Sequence, residues 1–385
     1  MFSRSLKQFF GSSYLLEKYI VAELLPPFFF SLSIFSILGV AIGYLADLSN
    51  KVVDSNLPIL MAAEIFFLKI PEFVAYAFPI SVLLATLMTY GRLNDDNEVI
   101  ALQSCGVDIY RLITPALLLS IFITSVSFFF NELVVPAANY KATSILISSI
   151  KEDHPYRENK DILFPDYQLV ILPSGLKDQQ LKSLFYAKQF KDKQMKHITV
   201  LHWINRKLSQ IIIAQSAQWN NQENLWDFAN GKIYQLKNDS SYGHSVSFIK
   251  RKIPLSKVPF QLASEGRDPY EMTLRQAWNF MNILKLAGDN KKLLTFEIRT
   301  QQKLSFPFIS IVFSIIGSVT GMSSMKISRS TGFGVCILII FSYYVLAFAF
   351  GSLGMAKMVS PIAAGWLPTI IALGVSLILV RQLSK

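Results

Sequence analysis

The chain has 385 residues, of which 52% are hydrophobic, 30 are Phe and only 16% are charged. With a positive mean hydropathy, that composition excludes an ordinary soluble multidomain protein and reads as an integral membrane protein. The net charge of +11 is unevenly placed: residues 131–303 hold 25 of the 37 Lys+Arg and 16 of the 26 Asp+Glu, a net +9 against +2 elsewhere.

The first 23 residues are too charged for a signal peptide, and the apolar run after them is longer than an h-region. Leu24 to Ala46 carries no charge over 23 residues, enough to span about 30 Å of hydrocarbon. Pro26 and Pro27 are expected in its first turn, where proline is tolerated. A second span is expected from Ile59 to Tyr90, with kinks at Pro71 and Pro79. Its first half carries Glu64, Lys69 and Glu72. Lys69 and Glu72, three apart, can pair on one face; these charges either snorkel or line a polar cavity.

Residues Gly91 to Leu112 form a polar island before the third span, Leu112–Asn131. Asp95 and Asp96 are expected to cap a short helix with Glu98 in its first turn. Val99, Ile100 and Leu102 give it an apolar side, Gly106 stops it, and Asp108 is placed to cap the next helix. Such a helix is either a solvated connector or a plug for a soluble partner.

Residues 131–303 read as a mainly β insertion. Tyr167–Leu172, Leu184–Phe190, His197–Ile204, Gln210–Trp219 and Val246–Ile253 are β-rich runs. Asn230-Gly231 in LWDFANGKIYQL carries the two-residue hairpin pattern. A sandwich, jelly roll or open β-roll fits this spacing. A helix is expected over Thr273–Leu286, with Leu274, Ala277, Trp278 and Met281 on one face and Gly288 as its stop, and a second over Leu293–Lys303. Cys105 and Cys336 lie outside the insertion, so no disulfide staples it. In a membrane context its basic excess suits an anionic lipid or glycolipid headgroup better than nucleic acid.

Three spans close the chain: Leu304–Met325, Thr331–Met355 and Val359–Val380. Short flanks on the side of the termini and island offer Arg4, Lys7, Lys18, Arg92, Arg111, Lys326, Arg329, Arg381 and Lys385; the other side offers Lys51 and Lys357. By the positive-inside rule both termini and the island are cytoplasmic. Gly317–Gly321, Gly351 and Gly354 suit close helix packing, within one subunit or between two.

No G-x-x-x-x-G-K-[ST] loop, nucleophile elbow or H-E-x-x-H occurs. His154, His197, His202 and His244 lack paired ligand spacing, so no metal site is expected. The chain does not read as an enzyme by itself.

The order of three spans, β insertion and three spans, with RLNDDNEVIALQSCGVD, NELVVP at 131–136, MTLRQ at 272–276, QKLSFPF at 302–308 and AGWLP at 364–368, resembles the lipopolysaccharide-export permeases LptF and LptG. The resemblance covers nearly the whole chain. It implies a polytopic α-helical protein of six spans with an inserted periplasmic β-jelly-roll-like domain, α+β overall. The domains would be 1–130 (with a coupling helix at about 95–106), 131–302 and 303–385. It further implies an inner-membrane ABC transporter in which two such permeases, alike or different, sit on a dimer of an LptB-like ATPase. That partner binds ATP and Mg; this chain would carry no cofactor. Lipopolysaccharide would enter by a lateral gate, pass to the β domains, and move on through LptC- and LptA-like periplasmic proteins. The island resembles the family's coupling helix, which assigns ATPase coupling to Asp95, Asp96, Glu98, Val99, Leu102 and Gly106, with Glu98 as the docking carboxylate. One departure stands out. LptG-type members carry a lysine near the outer end of span one, where this chain has Gly43 or Tyr44. Lys51 and Lys69 are then the candidates for a substrate phosphate. A membrane-anchored periplasmic binding or assembly module, or the same machine with another lipid, are the rival readings.

Overall fold

The computed structural model describes residues 2–54, 57–149, 162–171, 177–191, 194–204, 207–236, 242–260, 267–323 and 329–383. His154, Leu172, Met325, Lys326 and Lys385 lie outside them. Among the described residues six stretches are helical, long and apolar enough to cross a membrane: Leu15–Val53, Ile59–Asp95, Ile109–Leu146, Asn290–Met322, Gly332–Met355 and Pro361–Leu383. The chain divides into two compact units, one of Met1–Ser149, Pro269–Leu274 and Leu294–Lys385, the other of Ile150–Asp268 and Arg275–Leu293.

In the helical unit, α1 (Phe2–Gly43) and α2 (Leu45–Asp54) precede α3 (Ile59–Asp95), which runs through Pro71 and Pro79. A seven-residue α4 (Glu98–Ser104) leads to α5 (Ile109–Phe129), whose end passes through a π-helical turn, Phe130–Val134, into α6 (Val135–Ser149). α7 (Leu274–Ala287) falls, from Arg275 on, in the other unit; the helical unit resumes within α8 (Asn290–Ser305) and continues through α9 (Ile309–Met322), α10 (Arg329–Met355) and α11 (Pro361–Leu383). The spine is α3, packed on α1 and α9. Its contact with α9 is a small-residue seam. A Cβ added at Gly317 would lie 2.1 Å from Thr86 Oγ1 and 2.8 Å from the Leu83 carbonyl. The small-residue stretch around Gly317 therefore packs inside this chain. Gly354 does so too, where a Cβ would meet Ala364 at 2.6 Å.

The first span differs from its expectation. α1 is continuous from Phe2, so Pro26 and Pro27 sit deep inside it and not in a first turn. Proline at 27 removes the N–H that would bond the Glu23 carbonyl. The Thr89 hydroxyl donates to that carbonyl at 3.2 Å instead. The helix survives its proline because a neighbour supplies the missing donor.

The other unit holds one six-stranded antiparallel sheet with strands in chain order: β1 (Ile162–Ile171), β2 (Lys177–Lys191), β3 (Gln194–Ile204), β4 (Lys207–Asn220), β5 (Leu225–Leu236) and β6 (Tyr242–Ile253). The described strands thus form a meander, without the crossovers of a jelly roll. Trp226, fully buried, anchors the core face, with ring centroids 5.4 Å from Phe185 and 5.6 Å from Trp219, and its Nε1–H donates to the Ser256 carbonyl at 2.9 Å.

Asn230-Gly231 is not a hairpin turn; β5 runs straight through it. The reason is a crease across the sheet. Buried positions should recur every two residues. Here they step by three between Ile198 and Met195 on β3 and between Ala214 and Ala217 on β4, and by five between Phe228 and Ile233 on β5. The slip falls at the same height on all three strands. His197 and Asn230, both at φ 52°, absorb it. Gly231 lies so close beneath its neighbours that a Cβ would come 2.6 Å from the Ile213 carbonyl and 2.5 Å from the Phe248 ring. Asparagine tolerates the left-handed conformation and glycine the close approach, so the residues of a turn serve a fold line. The turn between β4 and β5 lies at 221–224.

α7 is also rotated from its expected face. Ala277, Phe280, Met281, Ile283, Leu284 and Ala287 are buried, while Trp278 is 58% exposed. Gly288, at φ +71°, stops the helix as expected.

Candidate functional site

The polar island folds into an elbow between α3 and α5. α3 continues to Asp95, and Asp96 occupies its C-cap. Asn97, at φ 60°, makes the reversal and is the N-cap of α4, with no side-chain capping bond. Asp95 and Asp96 therefore end one helix and do not cap the next, since the reversal needs a residue that accepts the left-handed region. Asp108 occupies the N-cap position of α5, also without a side-chain bond; its carbonyl accepts the Arg111 and Leu112 N–H groups. The stop of α4 is as expected. Gly106, at φ +85°, donates to the Gln103 carbonyl at 2.8 Å, and Val107 donates to Leu102 at 3.1 Å, a Schellman closure.

The two sides of α4 differ. Val99 is buried, and Leu102 and Val107 pack beside it against Ile20, Leu24, Tyr90, Leu93 and Leu112. Ile100, expected on that side, is 55% exposed on the other, with Ala101 and Gln103. Within the cluster, Tyr90 donates its hydroxyl to the Leu112 carbonyl at 2.6 Å, pinning the end of α3 to the start of α5. Glu98 is half-buried at the rim, where the Tyr19 hydroxyl lies 3.0 Å from Oε2 and 3.3 Å from Oε1. One turn further along α1, Glu23 accepts from Arg92 at 2.5 Å. Asn94 donates to the Ser323 carbonyl at 3.2 Å, adding the end of α9. A cavity of about 370 Å³ opens beside Glu23, Arg92, Asp95, Asp96 and Gly332. Sequence reasoning missed Tyr19 and Glu23, because their partners lie 79 and 69 residues away.

At the other end of α3 the structure brings the two lysine candidates together. Lys51 Nζ lies 5.7 Å and Lys69 Nζ 5.6 Å from the centroid of the Tyr44 ring. Lys69 also pairs with Glu72 at 2.9 Å, the expected three-residue pairing. Glu64 pairs with Lys141 of α6 at 3.2 Å.

A third cluster was legible only as motif letters. Glu132, in the π-helical turn, accepts the Leu274 N–H with both carboxylate oxygens at 3.0 Å. Lys303, its side chain 9% exposed, donates to the Met272 carbonyl at 2.8 Å and stands 3.9 Å from Glu132. These residues belong to NELVVP, MTLRQ and QKLSFPF, three stretches far apart in the chain.

A family model described as lipopolysaccharide export system permease LptF/LptG matches residues 18–382. Curated relatives include proteins called lipopolysaccharide export system permease protein LptF from Escherichia coli K12 and O157:H7 and from Shigella flexneri. Each is 28% identical over 78 residues, 20% of this chain and 21% of the relative. The aligned stretch thus spans about a fifth of those proteins.

Proposed function

The chain belongs to the lipopolysaccharide export permease family LptF/LptG, and from that premise we propose that it is the membrane subunit of an ATP-driven lipopolysaccharide exporter whose ATPase is a separate protein. The observation that carries this reading is the build of the α3–α4–α5 elbow. Its inner side, Val99 and Leu102, is sunk in a cluster drawn from α1, α3, α5, α9 and α11. Its rim presents the Glu98 carboxylate. A push on Glu98 by a docked ATPase would reach those helices as one body, because close-packed interiors transmit displacement. An arginine of the ATPase would make a charge-assisted bond there.

On this reading the elbow and both termini face the cytoplasm, and residues 131–302 are periplasmic, in agreement with the positive-inside count. α10 and α1 supply the surface for a second permease and for the lipid gate. Only 11% of the most apolar stretch of the fifth span and 28% of that of the first are buried within the chain. Phe341 and Phe348 on α10 and Phe29 and Phe30 on α1 are exposed. Lys51 and Lys69, gathered at Tyr44, would face a substrate phosphate. LptC- and LptA-like proteins would receive the lipid from the β unit.

Purification from native membrane, with mass spectrometry of the chains and lipid that come with it, tests the proposal. A P-loop ATPase and bound lipopolysaccharide are the expected companions. A chain that emerges with periplasmic partners and no ATPase would instead be an assembly module.

A further inference from the structure

Along the crease, on the face of the sheet opposite Trp226, lies a groove of about 490 Å³. Tyr186, Lys188, His197, Asn230, Lys232 and Tyr234 are among its lining. Tyr186, Thr199, Ile213, Lys232 and Ser247 of its lining are register neighbours across five strands, and on β2 to β4 they alternate with the buried core positions Phe185, Ala187, Ile198, Val200, Ile212 and Ala214.

Lys188, Lys232 and His197 are exposed, and among the described residues none of them has an ion-pair or hydrogen-bond partner. On the same sheet Lys252 differs: it pairs with Glu223 at 2.5 Å, which raises the lysine pKa. Among the described residues no carboxylate lines the groove. Tyr186 and Tyr234, the amides of Gln215 and Asn230, and lysines with no counter-charge among the described residues are a donor set suited to a phosphorylated sugar. Rings stack on the sugar's C–H face, amides take hydroxyls, and ammonium groups take phosphate.

We propose that the creased groove binds a phosphorylated saccharide, with Lys188 and Lys232 on the phosphate and Tyr186 and Tyr234 against the sugar. Resting on the export reading, this assigns the headgroup of the transported glycolipid to a site on the opposite face of the sheet from its apolar core. A free sugar phosphate has the same chemistry.

The test uses the full chain in detergent with five probes: a phosphorylated glucosamine disaccharide without acyl chains, its dephosphorylated form, its acylated glycolipid form, inorganic phosphate, and an acidic peptide. The phosphorylated disaccharide is expected to bind, with at least tenfold loss on dephosphorylation and at least tenfold in Lys188→Gln/Lys232→Gln. Binding of the acylated glycolipid in the same range would assign the groove to the lipid headgroup; failure of the acylated form to compete would assign it to a free sugar phosphate. Equal binding of the dephosphorylated sugar, stronger binding of the acidic peptide or phosphate alone, or an unaffected double variant would overturn the proposal. Tyr186→Leu, which keeps both lysines, should lose affinity for the disaccharide and keep the weak phosphate response. ATPase copurification is read on the same samples, so a failed groove is distinguishable from a failed export reading.

Discussion

Tyr19 and Glu98 meet across 79 residues of sequence, the phenol hydroxyl reaching both oxygens of the carboxylate. Both groups are accessible, so the bond contributes little to folding, about 1 kcal/mol or less. It does fix the direction of the carboxylate. Glu98→Lys should leave the chain folded, with its melting temperature nearly unchanged, and abolish export and ATPase stimulation in the assembled complex. Tyr19→Phe should assemble normally and couple less efficiently. Normal export by Glu98→Lys would end the coupling assignment.

Thr89 and Pro27 form a compensating pair. Thr89→Val removes the donor that replaces proline's missing N–H and should destabilise by roughly 1–3 kcal/mol. Pro27→Ala restores an N–H for the Glu23 carbonyl. In that background Thr89→Val should cost distinctly less, which a double-mutant cycle on thermal stability in detergent would measure.

Gly317 is closed to any side chain. Gly317→Val would drive a branched group into Thr86 and the Leu83 carbonyl and should cost about 1–3 kcal/mol or prevent assembly of the bundle. Gly374, around which a Cβ meets nothing within 4 Å, is the control. Gly374→Ala should be neutral or mildly stabilising.

The crease makes a prediction opposite to that of a hairpin tip. Two residues inserted between Asn230 and Gly231 would be tolerated at a turn; within β5 they should abolish the unit's cooperative melting. Asn230→Gly should be nearly neutral at φ 52°, and Asn230→Val should destabilise by about 1–2 kcal/mol.

Lys303 and Glu132 stand or fall together. Lys303→Met strips the Met272 carbonyl of its donor and leaves Glu132 without a counter-charge, a loss of roughly 3 kcal/mol. Adding Glu132→Gln should recover part of it, read as melting temperature.

The spans, the β insertion and the stop at Gly106 were all legible, because each follows from a local pattern: apolar run length, residue type, or a glycine at a helix end. Asn230-Gly231 misled because the same two conformational freedoms serve a turn and a fold line, and only the neighbouring strands choose between them. Asp95 and Asp96 misled for a related reason, since a carboxylate that can open one helix can also sit at the end of the previous one. Trp278 was placed on the wrong side of α7 because it shares helical spacing with Leu274, Ala277 and Met281, while the buried stripe runs through Ala277, Phe280, Met281 and Leu284. Tyr19, Glu23, Glu132 and Lys303 were invisible as partners. Nothing in a local window says that a residue will meet another a hundred positions away.

The order of the six strands bears on how the molecule is made. Every pairing joins strands that follow one another in the chain, so each strand can dock as it arrives, and low contact order favours fast closure. The helical bundle obeys the opposite schedule. Its spine, α3, is buried against α9, and Leu83 waits for Gly317. During synthesis the sheet can therefore be complete while α3 has α1 beside it and still lacks α9. A chaperone or insertase that shelters α3 would be needed for as long as the ribosome takes to write the final third of the chain.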